Sequence, residues 1–279
     1  MKIKKGDFVA RISHGKDIIF YVDKIIKLDN NMKIAILKGI TARIIADSPI
    51  SDLELMEKKQ VENRLKILEN ENDFRTNIDN QTSIKNRSIR SLYEKIEKRN
   101  IINGKILHID GDKKYSEKSS RYYTKMGLNV EVKNIAEDKQ PLYIRELMYR
   151  HKPDIIVITG HDAMIKKQTG YHDIYNYRNS RYFVSAVEQV RKIDIENRIV
   201  VIAGACQSYY EALISAGANF ASSPARILID FLDPLIVASK VATTVANRYI
   251  TIDDIKHDLR DGKKGIGGIG ARGKKYIVT

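Results

Sequence analysis

Two apolar runs, at residues 154–159 and 198–203, limit most strongly how this chain can fold. Each is nearly continuous in Ile and Val, which indicates a strand buried on both faces and is typical of the centre of a parallel sheet. Between the two runs, apolar residues recur at helical spacing, at Phe183, Val184, Val187, Val190 and Ile193. Because a strand–helix–strand connection is nearly always right-handed, we predict that the two strands are parallel and adjacent.

The same alternation of strand and helix extends over residues 104–279 and predicts an α/β domain, with a parallel sheet flanked by helices. The further predicted strands are 105–110 and 129–135, and the further predicted helices are 115–126 and 141–149. Pro141 stands at the start of the second of these helices, where its missing N–H costs least.

The first 103 residues have a different character. Residues 1–55 contain short β-prone runs separated by turn residues, which predicts a small SH3-like β-barrel. Residues 56–103 are rich in charged and amide side chains with sparse apolar positions, which predicts a polar linker that is partly helical and partly flexible. The barrel strands are predicted at 7–12, 18–22, 33–37 and 41–46, a short linker helix near 89–96, and an exposed linker stretch at 77–87.

The composition excludes several classes of protein. Cys206 is the single cysteine of the chain, which rules out an intramolecular disulfide framework and any multi-cysteine metal site. Four histidines, at positions 14, 151, 172 and 257, lie in unrelated surroundings without the spacing of a zinc pair, so we assign no metal and no other cofactor. The charged start of the chain predicts no secretory signal, and no apolar run is long enough to cross a bilayer, so no membrane partner is expected.

The net charge of +14 would favour an anionic partner. However, the basic residues are spread along the chain, without the interleaved aromatic side chains that bind single-stranded nucleic acid. We therefore do not predict nucleic acid as the partner. The sequence makes no prediction of the oligomeric state.

A glycine-containing turn follows each of the two central strands. His161 lies in the first turn and Cys206 in the second, so parallel adjacent strands would bring both to the same sheet edge. An imidazole can activate a thiol as a nucleophile, and a predicted helix start at 207–213 would favour the thiolate. Alternatively, His161 is a hydrogen-bonded core histidine and Cys206 a small buried apolar residue. We favour the catalytic interpretation because the two residues occupy equivalent strand ends.

These two turns resemble those of the caspase, clostripain and gingipain clan of cysteine peptidases. The whole chain is similar to the YabG family of sporulation-associated peptidases. The segments that carry this second resemblance run from the first strands to the end of the sheet: 46–49, 107–112, 158–163, 203–208 and 216–224. The resemblance implies a caspase-like fold and a dyad of His161 and Cys206.

The resemblance also implies where and on what the protein acts. It implies cleavage after arginine in spore coat, cortex and germination-protein precursors, together with self-processing. The implied location is the mother-cell cytoplasm of a sporulating bacterium, with association with the spore coat as a further expectation. Asp162 departs from the wider clan, which has glycine after its histidine, although the backbone N–H needed for an oxyanion hole is retained.

The remaining site residues follow from this chemistry. Backbone amides of Gly160, Asp162 and Cys206 are the predicted oxyanion donors. An arginine pocket needs a carboxylate that can pair with a guanidinium, and the candidates are Asp110, Asp112 and Asp162, which follow strands at the same edge.

The glycine-rich basic stretch at 262–275 is predicted to be a mobile loop near the cleft, with a phosphate cradle as the alternative. The alternative to a peptidase is a noncatalytic basic assembly or nucleic-acid-binding protein that uses an enzyme-like sheet as its scaffold. A binding protein of this kind would not require the matched Gly-His and Ala-Cys turns.

Overall fold

The structure is a computed structural model that describes residues 3–28, 32–40, 42–68, 70, 100–165 and 170–278. The helix predicted near 89–96 and the exposed stretch predicted at 77–87 lie outside the described residues. In the described part of the chain, no helix is both long enough and apolar enough to cross a membrane.

The N-terminal sheet, as we name strands β1 to β5, is antiparallel throughout, with the strand order β4-β3-β2-β1-β5. Its strands are β1 (Phe8–Arg11), β2 (Ile19–Lys27), β3 (Lys33–Gly39), β4 (Ile45–Pro49) and β5 (Leu53–Leu55). This confirms an N-terminal antiparallel β region, and the SH3-like description stays a prediction. A helix, α1 (58–68), follows it.

The strand predicted at 41–46 was wrong in its first part, because β4 begins only at Ile45. Residues 42–44 form a tight turn in which the Ile44 N–H donates to the Ala42 carbonyl at 2.9 Å. Gly39 permits this turn, since a Cβ there would collide with the Ala42 carbonyl oxygen. The turn projects Arg43 away from the N-terminal sheet.

The rest of the chain alternates strands and helices, as predicted. In order these are β6 (Asn100–Ile102), β7 (Ile106–Asp110), α2 (Lys113–Lys125), β8 (Val130–Asn134), α3 (Gln140–His151), β9 (Ile155–Thr159), α4 (Ser180–Ile193), β10 (Val200–Ala203), α5 (Tyr210–Ser215), β11 (Phe220–Ser222), α6 (Leu232–Thr243), β12 (Tyr249–Ile250), β13 (Ile266–Gly268), β14 (Ala271–Arg272) and β15 (Tyr276–Val278).

The central sheet has six strands in the order β13-β11-β10-β9-β7-β8. Its strands are parallel except β13, which pairs antiparallel to β11. Apolar side chains of α2 and α6 pack on one face of the sheet, and those of α3, α4 and α5 pack on the other. This confirms a mixed α/β fold with a parallel-containing sheet flanked by helices, and the caspase-like description stays a prediction.

The order of strands reverses at β7, since β8 lies on one side of it and β9 on the other. Ligands of open α/β sheets bind at such a reversal, outside the carboxyl ends of the strands. The N-terminal sheet covers this edge: its apolar cluster includes Ala163, Cys206 and Ile229 from the loops of the central domain.

Two local predictions were wrong. The glycine-rich stretch is not a loop, because it supplies β13 and β14; a Cβ on Gly268 would collide with the Asn219 carbonyl, so only glycine allows β13 to pair with β11 there. The helix predicted to start at 207 begins at Tyr210, because Gln207 takes a left-handed conformation with φ 55°. Cys206 therefore lies in a turn and not at the amino end of a helix.

Candidate active site

His161 and Cys206 follow neighbouring strands at matching distances. In the register of β9 and β10, Ile158 is paired with Ala203, and each of the two residues lies three positions beyond its strand partner. Both side chains are buried, Cys206 completely and His161 to within 1% of full burial. The topology thus brings the only thiol of the chain and an imidazole to one sheet edge.

The Cys206 thiol is held by the backbone that follows β11. Its Sγ accepts a hydrogen bond from the Ile229 N–H at 3.2 Å and donates towards the Ile229 carbonyl at 3.7 Å. Burial raises the pKa of Cys206 to about 11, while the Ile229 hydrogen bond and the positive charge of Arg43 act in the opposite direction. The thiol is therefore protonated at neutral pH in this arrangement.

His161 is positioned by a carboxylate and an amide from two other loops. Its backbone N–H donates to Glu137 Oε1 at 2.7 Å, and its carbonyl accepts from Asn179 Nδ2 at 2.7 Å. The ring Nδ1 lies 3.9 Å from the same Glu137 oxygen, whereas buried Nε2 makes no hydrogen bond with any described residue. Nε2 is thus the nitrogen available for proton transfer.

Glu137 follows β8 and lies against the backbones of two glycines. A Cβ on either Gly111 or Gly160 would collide with the Glu137 carboxylate, so glycine at both positions leaves room for this side chain. Burial raises the pKa of Glu137 to about 7 and lowers the pKa of His161 to about 4. A neutral imidazole at pH 7 can accept the thiol proton, and a nearby carboxylate stabilises the imidazolium that forms.

Asp110 lies at the end of β7 in a fully buried polar network. Its Oδ2 accepts from Thr159 Oγ1 at 2.9 Å and forms an ion pair with Arg43 Nη1 at 3.0 Å. Thr159 Oγ1 is also 2.8 Å from His108 Nε2. Burial alone would raise the pKa of Asp110, but Arg43 and His108 together hold this pKa well below its usual value. The carboxylate is therefore charged and faces a guanidinium.

The other two candidate carboxylates accept hydrogen bonds from backbone N–H groups and serine hydroxyls. Asp112 caps α2 by accepting from the N–H groups of Lys114 and Tyr115 at 2.8 and 3.2 Å. Asp162 accepts four hydrogen bonds: Oδ1 from the N–H groups of Ala163 and Asn179, and Oδ2 from the hydroxyls of Ser180 and Ser208, at 2.5 to 2.9 Å. Of the three, Asp110 is the one placed against a guanidinium.

The predicted oxyanion donors lie in the turns that follow β9 and β10. Gly160 and Asp162 flank His161 in the turn after β9, and Asp162 also forms a parallel backbone bridge with Ile44, the residue before β4. Among the described residues, no group of three or more His, Cys, Asp and Glu side chains could hold a metal ion.

Comparison with known proteins decides the family. A profile of the family described as YabG peptidase U57 matches residues 4–278. The chain belongs to the YabG peptidase family. The sporulation-specific protease YabG of Bacillus subtilis (strain 168) is 38% identical over 285 residues, which cover 98% of this chain and 96% of that protein. No solved structure matches the chain. The predicted membership of the YabG family is thus confirmed, and with it the coarser prediction of a peptidase.

Two residues of this candidate site were missed by the sequence interpretation. Glu137 could have been found, because it follows β8 at the carboxyl edge that also holds Asp110 and His161. Arg43 had no comparable signal, since it comes from a turn of the N-terminal sheet and reaches the site only through tertiary packing.

Replacing Glu137 with glutamine is expected to lower kcat by about tenfold, because a neutral amide stabilises the His161 imidazolium less than a carboxylate does. The wild-type rate should fall as pH drops through about 7, where Glu137 takes up a proton. This step near pH 7 should be missing from the pH profile of Glu137→Gln. Identical pH profiles of the two chains would show that Glu137 does not act on His161.

Proposed function

We propose that the chain is a cysteine endopeptidase that uses Cys206 as nucleophile and His161 as general base, and that it cleaves after arginine. The observation that carries this proposal is the β9–β10 register, which sets both residues three positions past paired strand ends. The unpartnered Nε2 of His161 and the carboxylate of Glu137 near Nδ1 support the role of base.

The proposed reaction has two steps. Nε2 of His161 removes the thiol proton as Sγ of Cys206 attacks the peptide carbonyl carbon, and the amides of Asp162 and Cys206 hold the oxyanion. His161 then gives this proton to the leaving amine, and a thioester with Cys206 is left. A water molecule, deprotonated by His161, hydrolyses the thioester and restores the thiol.

Selectivity for arginine is proposed to come from Asp110. This carboxylate is charged, fully buried and at the sheet reversal, and a guanidinium is the side chain best suited to pair with it. A groove of about 660 Å³ lies between the N-terminal sheet and the central domain, and its lining includes Ala163 and Gln207, which follow Asp162 and Cys206 in the chain. We assign the flanking residues of the substrate to this groove.

The substrates are proposed to be proteins of the developing spore, namely coat and cortex proteins and germination-protein precursors, in the mother-cell cytoplasm or at the spore coat. The sporulation-specific protease of Bacillus subtilis, similar over 98% of this chain, supports this setting. Self-processing of the chain belongs to the same proposal. The family match favours a peptidase over a noncatalytic basic assembly or nucleic-acid-binding protein.

Cut-site mapping tests this function. The purified chain should be incubated overnight with an unfolded protein, and the products should be sequenced by mass spectrometry. We expect cleavage to follow arginine at the large majority of cut sites. Cuts spread over unrelated residue types would contradict the role of Asp110 as the selector. The same assay is run on Arg43→Ala, which removes the arginine paired with Asp110. Complete absence of cleavage by both chains would contradict the proposed peptidase activity.

A further inference from the structure

We propose that the turn at residues 42–45 occupies the active site as an internal ligand, with Arg43 in the position of a substrate arginine, and so excludes other peptides until it leaves. This inference rests on the proposed function and names an occupant of the arginine pocket. It gives the N-terminal sheet a role as a built-in inhibitor of the central domain.

The side chain of Arg43 fills the arginine pocket. It is 2% exposed, its Nη1 lies 3.0 Å from Asp110 Oδ2, and its guanidinium stands 4.8 Å from the centre of the Tyr115 ring. Tyr115 in turn packs edge-on against His161 at 5.8 Å between ring centres. The arginine thus lies between the proposed selector carboxylate and the ring that contacts the proposed base.

The contact of Arg43 differs from that of a structural arginine. Despite the short distance to Asp110, the geometry is not that of a hydrogen bond, and Nε, Nη1 and Nη2 all lack a hydrogen-bond partner. Arg191 shows the contrast: its guanidinium donates to the carbonyls of Gly217 and Ile199 and to the side chains of Asp194 and Asn219. Buried arginines of a permanent core are normally hydrogen-bonded in this second way, whereas an incompletely paired guanidinium suits a ligand that can be exchanged.

The backbone of the turn lies where a substrate backbone would. The backbone of Arg43 lies close enough to the Cys206 thiol to lower its pKa, and Ile44 forms a parallel bridge with Asp162. The Ile44 N–H and carbonyl are already used within the N-terminal sheet, by the Ala42 carbonyl and the Gly39 N–H. The bridge places the backbone of the turn beside Asp162, a predicted oxyanion donor.

This occupancy accounts for the complete burial of the proposed catalytic thiol. Cys206 lies within the apolar cluster of the N-terminal sheet, beside Ala42 and Ile44. A peptidase acting on other chains needs an accessible nucleophile, so the turn must leave before a second peptide can bind.

The test uses the full chain with Arg43→Ala, and with Arg43→Lys, which keeps the charge but loses the planar guanidinium. Arg150→Ala is the matched control, because Arg150 is exposed and pairs with Glu146 one helical turn away. Two rates are measured: alkylation of Cys206 by iodoacetamide, and cleavage of a fluorogenic arginyl peptide amide. Thermal unfolding of each variant establishes that it is folded at the assay temperature.

In Arg43→Ala, we expect both rates to rise by about tenfold or more over wild type, with a smaller rise in Arg43→Lys and none in Arg150→Ala. Faster alkylation without any peptide cleavage would support the occupancy and count against the peptidase. Equal alkylation and cleavage by the wild-type and Arg43→Ala chains would overturn the occupancy and leave the peptidase intact.

Discussion

Replacing Cys206 with alanine is expected to lower kcat for cleavage of an arginyl peptide by at least about 1,000-fold, since the proposed covalent mechanism cannot proceed without its nucleophile. The measurement is single-turnover cleavage in the Arg43→Ala background, where the internal arginine does not compete. The loss should be as large for Cys206→Ser, because a hydroxyl is a much weaker nucleophile than a thiol beside the same imidazole.

Stability provides the control for these variants. Cys206 is a small buried side chain, and its removal leaves a cavity of about one atom, so we expect a cost of only about 1 kcal/mol in the free energy of unfolding. Both variants should keep the far-UV circular dichroism spectrum of the parent. A variant that stays folded and retains most of its activity would rule out Cys206 as the nucleophile.

Replacing Asp110 with asparagine is expected to lower kcat/KM for an arginyl peptide by about 100-fold, or about 3 kcal/mol, because a buried guanidinium loses its charged partner. The asparagine oxygen can keep the hydrogen bond that Asp110 Oδ1 accepts from the Asp112 N–H at 2.8 Å, while the amide nitrogen replaces Oδ2, which accepts from the Thr159 hydroxyl at 2.9 Å. Citrulline is neutral and has nearly the same shape as arginine. For the same peptide with citrulline in place of arginine, kcat/KM should fall far less in Asp110→Asn.

Asp112→Asn is the matched control for this prediction. Asp112 caps α2 through its carboxylate, so its replacement should cost stability of about 0.5 kcal/mol without changing the preference for arginine over citrulline. If this preference instead survived in Asp110→Asn and disappeared in Asp112→Asn, Asp112 would be the selector.

The central sheet could be predicted because its signals are local. The apolar runs that became β9 and β10 are too hydrophobic on both faces for any position but the centre of a covered sheet, and parallel pairing then follows from the intervening helix. The burial of the two strands and their parallel pairing were sufficient to predict that His161 and Cys206 lie at one edge of the sheet.

The wrong local predictions arise where tertiary contacts override the local preference of the sequence. Residues 42–44 have the composition of a strand, yet they turn because Arg43 is drawn into the pocket of Asp110. The segment after Cys206 begins its helix late because Gln207 adopts a left-handed conformation, with its N–H bound to Ser223 Oγ and the Ile227 carbonyl. Neither contact partner is close in sequence, so no periodicity or spacing indicates it.

The pKa values of Cys206 and His161 agree with a resting form in which the turn that holds Arg43 covers the site. Burial keeps the thiol protonated and the imidazole neutral, since the pKa of Cys206 is raised to about 11 and the pKa of His161 is lowered to about 4. Departure of the turn would admit water or substrate, weaken these burial effects, and move both pKa values back towards neutrality. Thiol reactivity is therefore expected to rise with opening of the site.

Covalent trapping is the most direct test of Cys206 as the nucleophile beside an arginine pocket. The Arg43→Ala chain should be treated with an arginyl chloromethyl ketone, digested and analysed by mass spectrometry. We predict one adduct, a thioether on Cys206, formed much more slowly in His161→Ala and in Asp110→Asn. A chain that cleaves peptides at full rate after this treatment, or that carries no adduct on Cys206, would contradict the account.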